Sequence, residues 1–268
     1  MPIGIDHKDF LKKGTIDEIV YEKCSHLLNN SKIIISEQND EVLKKIKNNI
    51  NDNSSTKIFF NENFIYKKNK YDFVYKDDFG EITLPLPNLS GDFQISNVST
   101  AICTIRNLKN FKVENSHIRK AITKIRSEGR LQNISTGKLR DYVSKNNKIL
   151  IDGAHNPLAA FEIKKYLKNL NPKKKIVVLL AMMANKDHDQ FIKILKDSIH
   201  SIVALDIPNQ INFMPKEKLA KIAKTNGIIS KTDVSIQTAL KKISEKNNDA
   251  IIFCTGSLYF AGEILNLN

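Results

Sequence analysis

Apolar residues recur along the chain with two periods, and the changes of period mark its elements. After Gly14 the stretch TIDEIVYEKCSHLL places Ile16, Ile19, Val20, Cys24 and Leu27 on one helical face, with Thr15 as N-cap. Asp17 and Glu18 fall in the first turn, where carboxylates meet the positive end of the helix dipole. KIIIS (32–36) predicts a short buried strand, residues 40–50 a second amphipathic helix and TKIFF (56–60) another strand. That alternation predicts an α/β layer with parallel pairing. From 64 to 87 the pattern becomes aromatic-polar alternation, which predicts antiparallel hairpins closed by Pro85 and Pro87. Helices follow at 94–108 and 116–125.

The second half repeats strand and helix more regularly. Strands are predicted at KILI (148–151), 176–181, 201–207 and 250–254, and helices at 157–170, 189–199, 216–225 and 235–246. A last helix follows the turn TGS. Pro157 opens its helix, where a fixed φ and a missing N–H cost nothing. Strands apolar on both faces, alternating with helices, describe a doubly wound parallel sheet. The polar stretch SEGR (127–130) separates the halves, giving expected domains of 1–127 and 128–268. The opening MPIGIDH reads as an extended segment running into a loop.

Composition adds limits. With 268 residues, 41% hydrophobic and 26% charged, the chain can bury a sizeable core and is not disordered overall. No apolar run approaches the ~18 residues of a membrane span and no signal peptide is visible, so a cytoplasmic protein without a membrane partner is expected. Cys24, Cys103 and Cys254 are too few and too scattered for a disulfide framework or a zinc ribbon. Forty-two basic against 29 acidic residues give +13, which suits anionic ligands. Only five of the basic residues are arginines and they form no stripe, so no nucleic-acid partner is expected.

Ligands of open α/β sheets lie beyond the carboxyl ends of the strands. That rule selects Asp152, His155 and Asn156 after KILI, and Thr255, Gly256 and Ser257 after the last strand. The helix opening at Pro157 directs its free amides to the same crevice, as a phosphate or carboxylate requires. The alternative for Asp152 and Asn156 is a plain turn and cap role. Arg130, a scarce arginine at the interdomain joint, could grip phosphate with its guanidinium fork. Taken singly, His7 reads as an exposed loop histidine, Lys23 as a surface i,i+4 partner and Asn97 as a helix cap. There is no G-x-x-x-x-G-K-[ST], since Gly137-Lys138 is followed by Leu139, and no G-x-G-x-x-G.

The order IGIDH, TIDEIVYEK, LPLPNLSGDFQISNVSTA, GRLQ, LIDGAHNP, CTGSLYFAGE resembles the folylpolyglutamate synthase/dihydrofolate synthase family, a branch of the Mur ligases, from the first residue to the last. The glycine of DGAHNP favours the folate branch over the peptidoglycan branch, and Gln132 in GRLQ stands where glutamate is common. The resemblance implies the C-terminal part of the central ATPase domain at 1–127, followed by the Rossmann-like C-terminal domain at 128–268.

It also implies site residues: His7 as a magnesium ligand, Lys23 as the lysine carbamylated in many relatives, Asn97, Arg130 and Asp152 as ATP contacts, and His155 beside the reacting centre. The implied reaction joins L-glutamate to dihydropteroate or a folate with ATP and Mg2+, through an acyl phosphate, in a protein monomeric at full length. Two lobes hinged near Ser127 would clamp the nucleotide. Family members carry a Walker A loop ahead of IGIDH, so the 268 residues are expected to be a portion inactive alone. The rival readings are a peptidoglycan-branch ligase, told apart by uridine-nucleotide binding, and a non-catalytic protein retaining the fold. A basic nucleic-acid binder would show a salt-sensitive DNA shift.

Overall fold

The computed structural model describes residues 2–6, 11–170 and 173–268. The chain divides into two compact units, Met1–Arg126 and Ser127–Asn268.

In the first unit, α1 (Ile16–Ser25) starts with a capping box: Thr15 Oγ1 accepts from the Glu18 N–H, and Glu18 Oε2 accepts from the Thr15 N–H. β1 (Lys32–Ile35) and β2 (Thr56–Phe59) pair in parallel, with Lys32 opposite Thr56, and α2 (Asp40–Asn49) is the crossover between them. Val20, Ile33, Val42, Ile46 and Phe59 form their core. β3 (Phe64–Lys68), β4 (Asp72–Asp77) and β5 (Gly80–Pro85) make a separate antiparallel sheet in that order. Apolar residues of α3 (Phe93–Arg106) and α4 (Asn115–Lys124) close a second core with Phe64, Phe73, Tyr75 and Leu84. A buried ion pair staples the hairpins to α3: Arg106 Nη1 donates to Asp77 Oδ1 at 2.7 Å, and Tyr75 Oη to Asp77 Oδ2 at 2.8 Å.

The second unit is one mixed sheet of six strands. In chain order it runs β6 (Gln132–Ile134), β7 (Lys148–Ile151), α5 (Pro157–Lys168), β8 (Ile176–Leu180), α6 (His188–Leu195), β9 (Ser201–Ala204) and α7 (Lys216–Thr225). β10 (Ile229–Thr232), α8 (Ile236–Lys246), β11 (Ile251–Thr255) and α9 (Leu258–Asn266) complete it. The spatial order is β10-β9-β8-β11-β7-β6, and only β6 runs antiparallel to its neighbour. Every residue of β8 and β11 is buried, which explains their uninterrupted apolar runs. Alternate strand residues, among them Ile149, Val177, Val203 and Ile252, pack with Leu240 and Ile243 of α8 and Phe260 of α9. Right-handed crossovers put α5, α6 and α7 on the other face. β11, followed by α9, therefore lies between β7 and β8, whose helices leave on the opposite side, and this reversal opens the crevice.

Several predicted boundaries move. The helix predicted at 189–199 is α-helical only to Leu195 and continues as a 3-10 turn, Lys196–Ser198. The strand predicted at 201–207 pairs only to Ala204. Two strands are additions: β6, three residues after a bend, and β10, whose ISKT carries no alternation.

Candidate functional site

Beyond the carboxyl ends of β7 and β11, three turns are tied together by backbone and side-chain hydrogen bonds. The turn 129–132 folds on itself: the Gly129 N–H donates to Gln132 Oε1 at 2.9 Å, and Leu131 is left-handed (φ +46°) and buried. A non-glycine residue in that region is strained, and the position is fixed from outside. The Leu131 N–H donates to Asp152 Oδ2 at 2.9 Å, and the Gly153 N–H donates to the Gly129 carbonyl at 2.8 Å. Asp152 Oδ1 accepts from the Ala154 N–H at 2.7 Å, so one buried carboxylate clasps GRLQ to DGAHN.

The third turn joins through Ala154, whose carbonyl accepts from the Gly256 N–H at 3.0 Å and from Thr255 Oγ1 at 3.3 Å. Gly256 has φ +112°, and a Cβ there would lie 2.5 Å from the Ala181 carbonyl oxygen. No other residue fits where the backbones meet so closely. Asn156 and Ser257 cap α5 and α9 through the Ala159 and Tyr259 N–H groups.

The charges follow from this packing. Burial pushes the Asp152 carboxyl above its usual range; the Leu131 and Ala154 N–H groups and the charges of Arg130 and His155 pull it back only in part. His155 is half-buried, and its Nδ1 lies 2.8 Å from the Gly153 carbonyl. A carbonyl only accepts, so Nδ1 carries a proton and donates to it, which fixes the plane of the ring. Arg130, half-buried beside this carboxylate, makes no hydrogen bond or ion pair with another described residue. Its guanidinium fork keeps donors for an anion.

The remaining sequence-predicted residues lie in the first unit. Asn97 is exposed in the second turn of α3, where its Nδ2 donates to Gln94 Oε1 at 3.0 Å. The cap reading fails for it, because the N-cap position of α3 is Asp92. Lys23 is exposed in the last turn of α1, placed to complement the helix dipole, and makes no ion pair among the described residues. His7 lies outside the described residues. No group of three His, Cys, Asp or Glu side chains among the described residues could hold a metal ion. No helix among the described residues is long and apolar enough to cross a membrane.

Sequence reasoning missed Gln132 and Ala154 as the residues that set the turns. Only Gln132 left a signal, as the amide standing where the resembling family often has a carboxylate.

Comparison with known proteins gives a consistent answer. The family described as dihydrofolate synthetase, C-terminal domain, matches residues 133–267. A dihydrofolate synthase/folylpolyglutamate synthase of Buchnera aphidicola is 28% identical over 273 residues, spanning 99% of this chain and 60% of that protein. Among solved structures, E. coli FolC in complex with DHPP and ADP superposes with a TM-score of 0.82 at 19% identity, over 99% of this chain and 59% of that one. A Mycobacterium tuberculosis folylpolyglutamate synthase complexed with ADP and AMPPCP gives 0.83 at 20% identity, over 99% and 62%. The chain thus spans about three fifths of the length of the relatives it matches. With half of the sequence matched by the family's C-terminal domain and the fold shared throughout, the chain belongs to the folylpolyglutamate synthase/dihydrofolate synthase family of Mur ligase fold.

Proposed function

We propose that this chain serves an ATP-dependent ligase that adds L-glutamate to dihydropteroate or folates, and that its second unit presents the nucleotide-contacting turns. The substrate carboxylate takes the γ-phosphoryl group of ATP; the amine of L-glutamate then attacks the acyl phosphate, and phosphate leaves. The observation that carries this reading is the clasp of Asp152 on Leu131 and Ala154, which holds Arg130 and His155 at the carboxyl ends of β7 and β11.

In this scheme Arg130 binds the nucleotide through its guanidinium donors. Asp152 contacts the ribose edge of that site while positioning the turns, and Asn97 offers an amide to the nucleotide from the first unit. His155, with Nδ1 held by the Gly153 carbonyl, orients phosphate or glutamate beside the reacting centre. The relatives solved with ADP, AMPPCP and, in Yersinia pestis, AMPPNP with a manganese ion support a nucleotide and a divalent cation for this chain too. Magnesium would offset phosphate charge, with His7 as the ligand and Lys23, where carbamylated as in many relatives, orienting the ion's site.

The test is ATP binding by calorimetry together with incorporation of labelled L-glutamate into dihydropteroate. Arg130→Ala is expected to weaken ATP binding at least about tenfold, the loss of a charge-assisted bidentate contact. Equal affinity in the variant would remove the site assignment. The 268-residue chain by itself is expected to form no product; ATP-dependent glutamate incorporation by it alone would overturn that expectation. Tighter binding of a uridine-linked muramyl substrate than of dihydropteroate would move the protein to the peptidoglycan branch.

A further inference from the structure

At the end of the second unit's sheet away from these turns, a cavity of about 200 Å3 opens beside the amino ends of β8, β9 and β10. The strand register builds its floor. Ile229 lies opposite Ser201, Ser201 opposite Val177, and Lys231 opposite Val203. Side chains alternate along a strand, so Ile229 and Lys231 share the face on which Val177 and Val203 pack against Ile243 of α8. α8 ends at Lys246, and its last turn borders the cavity through Ile243 and Lys246. Lys246 and Asn247 line it from the helix end, and His200 from the residue before β9.

Three cationic or protonatable groups therefore converge on an apolar floor, and none of the described lining residues is acidic. The nearby carboxylate, Asp233, is already engaged by Lys242 Nζ at 3.0 Å, by Thr238 Oγ1 at 2.7 Å and by the Val234 N–H. Burial holds the Lys231 ammonium below its usual range, the charges of Lys246 and Lys242 push the same way, and Asp233 offsets this only in part. Each lysine has an ordinary structural use: Lys231 as an inward charge guarding an edge strand, Lys246 as a cation at a helix C-terminus. Neither use brings both of them and His200 to one void.

We propose that this cavity binds a small multivalent anion of phosphate or polycarboxylate type, with Lys231 and Lys246 as its counter-charges and His200 adding to them when protonated. The volume suits a pyrophosphate or a short run of carboxylates and falls below the roughly 300–1,000 Å3 of pockets that take larger ligands. The inference stands apart from the ligase reading, since it uses none of the residues assigned there.

The experiment is amide NMR of the 268-residue chain titrated with pyrophosphate or with tri-γ-glutamate, at ionic strength held constant with sodium chloride. Saturable shifts at Ser201, Ile229, Lys231 and Asn247 are expected with at least one probe, and the probe that saturates identifies the phosphate or the carboxylate source. Lys231→Met with Lys246→Gln is expected to weaken that binding at least about tenfold, and Lys246→Gln alone about threefold. The single variant changes an exposed helix position, so it reads out even if the double variant does not fold. The proposal fails if neither probe saturates, if shifts spread evenly over the other lysine-bearing faces, or if Lys246→Gln binds like the parent chain.

Discussion

In the second unit β11 runs between β7 and β8 with all five residues buried, and its Phe253 is fully enclosed. In the first unit β1 and β2 form a parallel pair of four residues each, and the core of the three-stranded antiparallel sheet reaches this pair only through Ile58, with Ile34 packed against it. One unit thus concentrates burial in a continuous sheet covered on both faces, while the other divides a similar number of residues between two small clusters. A two-stranded pair is marginal unless packed on a helix, so α1 and α2 on one face and α3 on the other carry that pair. The most persistent amides are expected in β7, β8 and β11, and the least persistent in β1 and β2. Polar staples matter more where the core is smaller, and the buried Arg106–Asp77 pair lies in the first unit.

The largest effect should come from Phe253→Ala, which empties the centre of the six-stranded sheet and costs about 4 kcal/mol. Urea unfolding read by hydrogen exchange in β7 and β8 measures it, and a loss below that of Phe73→Ala in β4 would reverse the ranking of the units. Next comes Arg106→Leu, which leaves the Asp77 carboxylate buried without its counter-charge, at about 3 kcal/mol. Protection in β4 and α3 should fall while that in β11 stays. A loss confined to a few tenths would show that the first unit does not depend on its staple.

Asp152→Asn should cost about 2 kcal/mol, because an amide offers one oxygen to the two N–H groups that the carboxylate now serves. Its pH dependence runs opposite to that of Asp233. The Asp152 carboxyl is raised by burial, so its stabilising share is full below the unfolded pKa and is lost as pH rises through the folded one. At Asp233 burial also pushes upward, but the hydrogen bonds from Thr238 and Val234 and the ammonium of Lys242 outweigh it and leave the group low. Its share is present above the unfolded pKa and lost as pH falls through the folded one. Stability curves of Asp152→Asn and Asp233→Asn that move the same way with acid would contradict this. The smallest effects are those of Asn39→Ala and Asn156→Ala, which remove side-chain caps of α2 and α5 at about 1 kcal/mol each. Equal costs in thermal melts would place the difference between the units in their cores rather than in their helix ends.

The elements that could be read from the sequence are those whose burial repeats with a fixed period. The apolar runs of β8 and β11, the aromatic alternation of β4, the capped face of α1 and Pro157 at the start of α5 all state their structure locally. β10 could not be read, because ISKT sits at the sheet edge with Ile229 69% exposed and so carries no core signature. β6 was hidden for another reason: three residues follow a left-handed leucine whose conformation is imposed by Asp152, 21 positions away in sequence. At the candidate site, the strand-end rule selected Asp152, His155 and Asn156, but it could not assign the bonds between the turns. Those depend on which amides meet across β7 and β11, a matter of register rather than of residue type.

Gln132 closes the turn that precedes β6 with an uncharged oxygen. An amide neither takes up nor releases a proton in water at ordinary acidity, so the shape of that bend is indifferent to the acid-base state of its surroundings. Whatever acidity does to this corner of the molecule enters instead through its titratable neighbours, the carboxylate that fastens the bend to the next loop and the imidazole beside it.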